Sequence, residues 1–169
     1  KCFGGHGYER VDAEAYAEWG IDLLKYDYCH APKAKAVARE RYRAMGDALA
    51  SCGRSVVFSV CEWGLRRPWT WAASVGGNYW RTTPDIFDSF GLPTSGVRDI
   101  ARHNMTLDRF ARPGAWNDPD MLLIGNRGNG LSTSHLRPLL ALGKERPAQR
   151  FKGLSDVEAV THLTMWSMM

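Results

Sequence analysis

Helices and short apolar strands alternate along this sequence, and the alternation restricts the folds that are open to the chain. The predicted strands are 21–29, 55–61, 78–82 and 116–124, and the predicted helices are 12–20, 32–50, 97–110 and 155–169. Most of the connections between them are short, and a Trp-rich stretch, 66–77, joins the second strand to the third. A strand followed by a helix and another strand makes a parallel βαβ unit, so the sequence predicts an α/β fold with a parallel sheet.

The predicted helices carry boundary signals and apolar faces. Asp12 is a suitable N-cap for the first helix, and Gly20 stands where a C-cap glycine is expected. Ser155 and Glu158 have the spacing of a capping box before the last helix, on which we interpret His162 as a packing residue. The expected apolar positions are Ala38, Tyr42, Met45 and Leu49 on the second helix, and Ile100, Met105 and Phe110 on the third.

The stretch IDLLKYDYC, residues 21–29, combines an apolar strand with charged side chains. Leu23, Lys25 and Asp27 lie on one face of such a strand, because side chains alternate with a period of two. We expect this face to be buried and to open into a polar pocket at Asp27, where Lys25 keeps the carboxylate ionised. An ionised carboxylate there is either a nucleophile or one half of a structural ion pair.

Polar residues follow the end of every predicted strand. In chain order they are Lys25, Asp27, Glu62, Arg81, Asp85, Asp118 and Asp120. The carboxyl ends of the strands form the active-site face of a (β/α)8 barrel, whereas structural charges would be scattered over both ends. A closed barrel needs eight strands, so the four strands predict about half of a TIM barrel, with residues 1–169 forming part of a catalytic domain.

Composition and charge exclude several classes of protein. The hydrophobic content of 44% is enough for one globular core. The net charge of +4 is not concentrated, and the basic residues of 33–43 alternate with alanines, so we expect no nucleic-acid partner. No window is apolar enough to span a membrane. Asp118 and Asp120 supply too few ligands for Mg²⁺ or Ca²⁺, so we expect neither a metal nor a cofactor.

The cysteines and the ends of the chain give further expectations. The spacing of the four cysteines matches no zinc site, and a bridge between Cys2 and Cys29 is geometrically plausible, with two free thiols as the alternative. A bridge would indicate an oxidising compartment.

Without an initiator Met or a stop signal for the last helix, the sequence is expected to be a piece of a longer protein. The segment 125–152 is either a lid or a solvated loop.

Four blocks together resemble glycoside hydrolase family 27, the α-galactosidases and α-N-acetylgalactosaminidases. The blocks are AEWGIDLLKYDYC (17–29), GRSVVFSVCEWG (53–64), YWRTTPDIFDSF (79–90) and PGAWNDPDMLLIGN (113–126), and 153–169 resembles the family's next helix. The match runs in order through nearly the whole chain, but it lacks the family's first strands, eighth strand and C-terminal β-sandwich. Phe90 stands where a Trp is common, Tyr28 replaces a small or polar residue, and the 125–152 insertion is longer than usual.

The resemblance implies roles for individual residues. Asp27 falls on the nucleophile and Asp85 on the acid/base of a retaining glycosidase, which uses two carboxyls about 5 Å apart. The positions that contact the sugar correspond to Lys25, Arg81 and Asp120, and the pocket wall corresponds to Met121. The segment that faces the sugar's 2-position corresponds to Cys61, Glu62 and Trp63. Cys2 and Cys29 fall on the two cysteines of a family disulfide.

The implied function is release of terminal α-linked galactose from α-galactosides, without a cofactor, by a secreted, periplasmic or lysosomal enzyme. Glu62 with its bulky neighbours Trp63 and Leu65 disfavours an N-acetyl group at the 2-position. The alternatives are an α-N-acetylgalactosaminidase or β-L-arabinopyranosidase of the same family, an inactive carbohydrate-binding fragment, or a metal-dependent barrel hydrolase.

Two expectations concern the environment of the acids and of the sugar. Partial burial near Tyr79, Trp80 and Phe87, together with the charge on Asp27, is expected to hold Asp85 protonated. Arg81 is then expected to point at sugar hydroxyls or at the nucleophile. Four tryptophans offer flat faces for stacking on a sugar or for packing in the core, and for Trp80 we favour packing; they are Trp63, Trp69, Trp71 and Trp80.

Overall fold

A computed structural model of the protein describes residues 4–126, 128 and 153–169. The chain forms two compact units, which are described separately. The first unit consists of Lys1–Pro84 and Thr106–Asp118, and the second consists of Asp85–Met105 and Pro119–Met169.

The first unit is a parallel four-stranded sheet with helices in its connections. In chain order it contains helix α1 (Glu9–Glu18), strand β1 (Leu23–Asp27), helix α2 (Lys35–Ser51), strand β2 (Val57–Cys61), strand β3 (Tyr79–Arg81) and strand β4 (Trp116–Asp118). Short 3₁₀ turns lie at Pro68–Thr70, Ala72–Val75 and Asp108–Phe110. The strands are hydrogen-bonded in the order β1-β2-β3-β4, and every pairing is parallel. Consecutive strands of a (β/α)8 barrel are neighbours in this way, so the predicted βαβ arrangement is confirmed.

Helix α2 packs its apolar side on the sheet. All four of its predicted positions are buried: Ala38, Tyr42, Met45 and Leu49. They share one core with Phe58 and Val60 of β2. At Gly46 a Cβ atom would lie 2.0 Å from the carbonyl oxygen of Val75, so only glycine allows this approach of the helix to the Ala72–Val75 turn.

The two faces of β1 differ from the prediction in their burial. Lys25 and Asp27 share a face as the period of two requires, but this face is exposed, and Leu23 retains 48% of its surface. Leu24 and Tyr26, on the opposite face, pack against the core that α2 covers. Within these four strands the Leu23 face is therefore uncovered, contrary to the expectation; it lies opposite α2, on the side that points into a closed (β/α)8 barrel, of which the four strands form about half.

Several predicted boundaries were also wrong by a few residues. Helix α1 begins at Glu9, with Tyr8 as N-cap, so Asp12 lies in the first turn. Helix α2 begins at Lys35 because Ala34 is extended, with φ −65° and ψ 132°. The third helix, α3 (Val97–Met105), ends at Met105, which is 72% exposed, and a separate 3₁₀ turn follows at Asp108–Phe110. Strand β4 ends before Pro119, as expected of a residue that cannot donate to a sheet.

The second unit contains helices α3 (Val97–Met105) and α4 (Asp156–Met168). Its core is formed by Ile86, Val97, Ile100 and Leu154, and Phe90, Leu123, Ala159 and Trp166 pack against these residues. The predicted capping box at the start of α4 is confirmed, since Ser155 Oγ accepts from Glu158 N and the Glu158 carboxylate accepts from Ser155 N. Across the described residues, no helix has the length and apolarity that a membrane span requires.

Candidate active site

The predicted site residues of the first unit gather at one edge of the sheet, here called the carboxyl edge. It is formed by the last residues of the four parallel strands. Asp27 of β1 is the register partner of Cys61 of β2, and Arg81 of β3 is the register partner of Asp118 of β4. Glu62 follows directly after Cys61. The prediction that polar residues follow the strands at one edge is therefore confirmed for this unit.

Cys61 places a neutral hydrogen-bond donor beside Asp27. The thiol is 1% exposed and belongs to the register partner of Asp27. Burial raises the pKa of the Cys61 thiol far above its usual range, as does the carboxylate of Asp27, while Arg81 and Lys25 lower it. The thiol consequently stays protonated, as a neutral donor beside a carboxylate that has two cations in the same neighbourhood.

Arg81 is a buried cation at the carboxyl edge. It is 1% exposed, and its Nη2 donates to the carbonyl oxygen of Thr83 at 3.1 Å. The backbone N and the Oγ1 of Thr82 both donate to the carbonyl oxygen of Asp118, each at 3.1 Å. These bonds continue the pairing of β3 with β4 beyond the strands, so the backbone that carries Arg81 is fixed on both sides.

The Glu62 carboxylate is buried and paired with Arg66. Its side chain is 0% exposed, and its carboxylate accepts from Arg66 N at 3.1 and 2.9 Å and from Arg66 Nη1 at 3.0 Å. Burial raises the pKa of Glu62, and the hydrogen bonds and charge of Arg66 lower it. Arg66 thus provides the Glu62 carboxylate with a buried ion pair, and the role of the segment Cys61 to Trp63 at the sugar's 2-position stays a prediction. Leu65, the other residue expected to crowd the 2-position, is 66% exposed.

Arg66 was not identified from the sequence, and it connects the loops that follow β1 and β2. Its Nε donates to the carbonyl oxygen of Lys33 at 3.0 Å, and its guanidinium lies 4.8 Å from the centre of the Tyr28 ring. Its own carbonyl oxygen accepts from Trp71 Nε1 at 3.1 Å. The four-residue spacing from Glu62 was the only sequence signal for this residue, and that spacing is common on ordinary helices.

The loop after β2 has a constrained backbone. Trp63 and Arg67 have positive φ angles of 59° and 56°, and Gly64 has a φ of 74°. A Cβ atom on Gly64 would lie 2.0 Å from the carbonyl oxygen of Thr82. Only glycine therefore fits where this loop lies against the end of β3.

The tryptophans divide between the core and partly exposed positions. Trp80 is 1% exposed, and its Nε1 donates to Asn117 Oδ1 at 2.9 Å, so the packing interpretation is confirmed. Trp71 is 4% exposed, which agrees with the packing alternative. Trp63 and Trp69 pack against the core but remain partly exposed.

In the second unit, Asp120 is bound to the backbone that follows Asp85. Asp120 is 9% exposed with a φ of 80°, and its Oδ2 accepts from Ile86 N at 2.8 Å. Asp85 itself is exposed, so the expected partial burial of this carboxyl was wrong in the described residues. Met121 is 61% exposed, as a residue on a pocket wall can be.

His162 holds the segment that carries Asp120. It is 0% exposed, its Nε2 accepts from Leu123 N at 3.0 Å, and its ring contacts the Trp166 ring edge-on at 4.1 Å between centres. Trp166 Nε1 donates to the carbonyl oxygen of Asp120 at 2.7 Å. Burial lowers the pKa of His162. The packing role is confirmed, and the structure adds two hydrogen bonds that were not predicted.

The predicted disulfide and insertion fall largely outside the described residues. Cys29 is exposed and carries a free thiol, but Cys2 is not among the described residues, so the bridge stays a prediction. Residues 127 and 129–152, most of the expected lid or loop, are likewise not described. In the ranges that the structure describes, no three His, Cys, Asp or Glu side chains are grouped so that they could hold a metal.

The parallel sheet, with its strands in chain order and polar side chains at its carboxyl edge, defines a partial (β/α)8 barrel, in which this edge is the active-site face. The family model described as Alpha galactosidase A matches residues 2–145. The chain belongs to this family, which lies within glycoside hydrolase family 27.

Individual relatives agree with this assignment. Alpha-galactosidase 2 of Arabidopsis thaliana is 50% identical over 125 residues, which cover 74% of this chain and 30% of the relative. The crystal structure of α-galactosidase I from Mortierella vinacea is 30% identical with a TM-score of 0.66, covering 94% of this chain and 45% of that one. The structure of the Saccharomyces cerevisiae α-galactosidase with raffinose is 27% identical with a TM-score of 0.76, and the match covers 98% of this chain and 35% of that one. The chain spans about a third of the length of the curated relatives it matches.

Proposed function

We propose that residues 1–169 form part of the catalytic domain of a retaining α-galactosidase, which releases terminal α-linked galactose. The observation that carries the proposal is the setting of Asp27. Its carboxylate lies at the carboxyl end of a parallel strand, stands beside its register partner Cys61, and shares its neighbourhood with Lys25 and Arg81. In this setting a carboxylate can attack a sugar carbon that develops positive charge.

The roles of the two acids follow from the chemistry of retention. Asp27 attacks the anomeric carbon and forms a covalent galactosyl-enzyme, while Asp85 donates a proton to the departing oxygen. Asp85 then removes a proton from water, which displaces Asp27 and restores the original configuration. Two inversions give net retention, and no step requires a metal or a cofactor.

The remaining residues bind the sugar. Lys25, Arg81 and Asp120 provide charged groups for the hydroxyls, and Met121 and Trp63 provide apolar surface against the ring. Cys61 is the residue nearest to the 2-position in this proposal. Glu62 is bound to Arg66, which holds the segment that carries Cys61 and Trp63, and discrimination against an N-acetyl group is assigned to Trp63.

The substrate and the compartment are part of the proposal. A yeast relative has been crystallised with raffinose, which supports an α-galactoside as the substrate. We place the protein outside the cytoplasm, either secreted, periplasmic or lysosomal, where a bridge between Cys2 and Cys29 would persist. Neither nucleic acid nor a membrane is proposed as a partner.

The test is to identify the first product by proton NMR. The full-length protein is mixed with an aryl α-galactoside, and the anomeric signals are followed before the free sugar mutarotates. We expect α-galactose to appear first and the β-anomer to grow in later. Appearance of the β-anomer first would contradict retention, and an absence of turnover would contradict the proposed activity. The 2-acetamido analogue, assayed in parallel, is expected to be the poorer substrate.

A further inference from the structure

One buried side chain on α2 contacts both chain neighbours of Asp27. Tyr42 is 0% exposed, and its hydroxyl donates to the carbonyl oxygen of Tyr26 at 3.0 Å. Its ring stacks on the ring of Tyr28, with 5.6 Å between the centres and 25° between the planes. Tyr26 and Tyr28 stand directly before and after Asp27, so the backbone of this carboxylate is held from the helix on both sides.

Tyr42 has little freedom to move or to ionise. Its ring also contacts Trp71 and Phe58, at 5.7 and 6.2 Å between centres. Burial strongly raises the pKa of Tyr42, and the nearby acidic groups of Cys61 and Glu62 raise it further. The raised pKa keeps the hydroxyl protonated at neutral pH, as a donor to the Tyr26 carbonyl oxygen.

A second contact reaches the same segment from the loop after β2. The Arg66 guanidinium lies over the Tyr28 ring, donates to the Lys33 carbonyl oxygen, and is paired with Glu62. Tyr28 N also donates to the Cys61 carbonyl oxygen at 3.2 Å. Tyr28 is thus fixed by its backbone, by a stacked ring and by a cation, and each of these contacts comes from a different residue.

We propose that Tyr42 and Arg66 are positioning residues for Asp27. Neither of them is assigned a contact with the sugar; they act by holding the peptide segment Tyr26 to Tyr28. A nucleophile must reach its carbon at about 3–3.5 Å, and a misplacement of about 1 Å can cost on the order of 100-fold in rate. The inference rests on the role proposed for Asp27. It predicts that the rate of hydrolysis depends on Tyr42 and Arg66, although neither side chain contacts the substrate.

The sharpest variant is Tyr42→Phe, because it removes one oxygen and keeps the stacked ring. In the full-length protein we expect kcat for an aryl α-galactoside to fall by about 5- to 20-fold, with KM changed by less than about twofold. The matched control is Tyr8→Phe, since Tyr8 is 65% exposed and makes no side-chain cap bond. The control is expected to retain kcat within about twofold.

Arg66 needs a comparison that separates positioning from stability. Arg66→Met leaves the buried Glu62 carboxylate without its counter-ion, so we expect both the thermal midpoint and kcat to fall. The double variant Glu62→Gln, Arg66→Met removes that buried charge and is expected to recover the midpoint but not kcat. Arg66→Lys keeps a cation for the Tyr28 ring and is expected to recover part of kcat.

The outcomes distinguish this inference from the proposed function. An active unmodified protein with an unchanged kcat in Tyr42→Phe would overturn the role of Tyr42 alone. Recovery of kcat together with the midpoint in the double variant would show that Arg66 acts only on stability, and would overturn its positioning role. An unmodified protein without turnover would contradict the proposed function itself, and the positioning roles with it.

Discussion

Cys61 of β2 is the register partner of Asp27 of β1 in the parallel sheet. Side chains of register partners in parallel strands lie on the same face of the sheet, so this pairing places the buried thiol beside the carboxylate. The position of the proposed nucleophile is thereby set by the pairing of β1 with β2. Through the contacts of Tyr26 and Tyr28 with Tyr42, it is also tied to α2 by its backbone.

The first prediction concerns the Cys61 thiol. Cys61→Ala removes the neutral donor beside the Asp27 carboxylate, and kcat/KM for an aryl α-galactoside is expected to fall by about 10- to 100-fold. Cys61→Ser keeps a donor and is expected to lose less than about fivefold. Cys52→Ala, which removes a thiol bonded to the Leu49 carbonyl oxygen, is the control and should leave kcat/KM unchanged. Equal losses in the Ala and Ser variants would show that the donor has no part in the reaction.

The second prediction concerns the loop after β2. Gly64→Ala introduces a Cβ atom 2.0 Å from the Thr82 carbonyl oxygen at a φ of 74°, whereas Gly53→Ala has a similar φ of 80° and open space around the Cβ. We expect Gly53→Ala to lower the free energy of unfolding by about 1–2 kcal/mol, the cost of a left-handed backbone. Gly64→Ala should lower it by about 2 kcal/mol more, because the overlap adds to that cost.

Denaturant midpoints of the two variants, measured side by side, provide the test. A Gly64→Ala variant as stable as Gly53→Ala would show that the loop does not lie against the end of β3. Loss of soluble protein in Gly64→Ala alone would agree with the overlap.

The third prediction concerns the pH dependence of stability. Burial lowers the pKa of His162 in the folded protein, so the folded state favours the neutral ring, whose Nε2 accepts from Leu123 N. The stabilisation is fully present above the unfolded pKa of about 6.5 and is lost as the pH falls through the lower, folded pKa. The thermal midpoint is therefore expected to fall on acidification below that value.

Two variants isolate the contribution of His162. Gln can offer its oxygen near the position of Nε2 without titrating, so His162→Gln should lessen the fall in thermal midpoint below pH 6.5. His162→Leu leaves Leu123 N without its acceptor and is expected to cost about 1–3 kcal/mol at neutral pH. A His162→Gln variant with the same pH profile as the unmodified protein would assign the acid sensitivity to other groups.

The sequence predicted the strands and the core of α2 because their signals are local. Four apolar runs with turn residues between them identified β1 to β4, and the spacing of Ala38, Tyr42, Met45 and Leu49 identified the buried side of α2. The shared face of Lys25 and Asp27 also followed from backbone geometry alone.

The remaining features depend on contacts between distant parts of the chain. Which face of β1 is covered depends on where α2 packs, and no pattern within 21–29 carries that information. The pairing of Glu62 with Arg66 depends on a loop with positive φ angles at Trp63 and Arg67. The helical spacing of Tyr42 predicted that it would be buried. Its contacts with Tyr26 and Tyr28 were not predictable, because they join residues 16 and 14 positions apart in the chain.

The roles of the two acids can be separated by restoring activity with azide. Asp27→Gly and Asp85→Gly are made in the full-length protein and assayed with an aryl α-galactoside that has an activated leaving group. Without Asp27, azide attacks the substrate directly, and a single inversion gives the β-galactosyl azide. Without Asp85, the galactosyl-enzyme still forms and azide displaces Asp27, so two inversions give the α-galactosyl azide.

The configuration of the azide product is therefore the measurement that tests the account most directly. Proton NMR is expected to show the β-azide from Asp27→Gly and the α-azide from Asp85→Gly, with both reactions dependent on azide. The same anomer from both variants, the two anomers exchanged, or undiminished turnover in Asp27→Gly would contradict the assignment of Asp27 as the nucleophile.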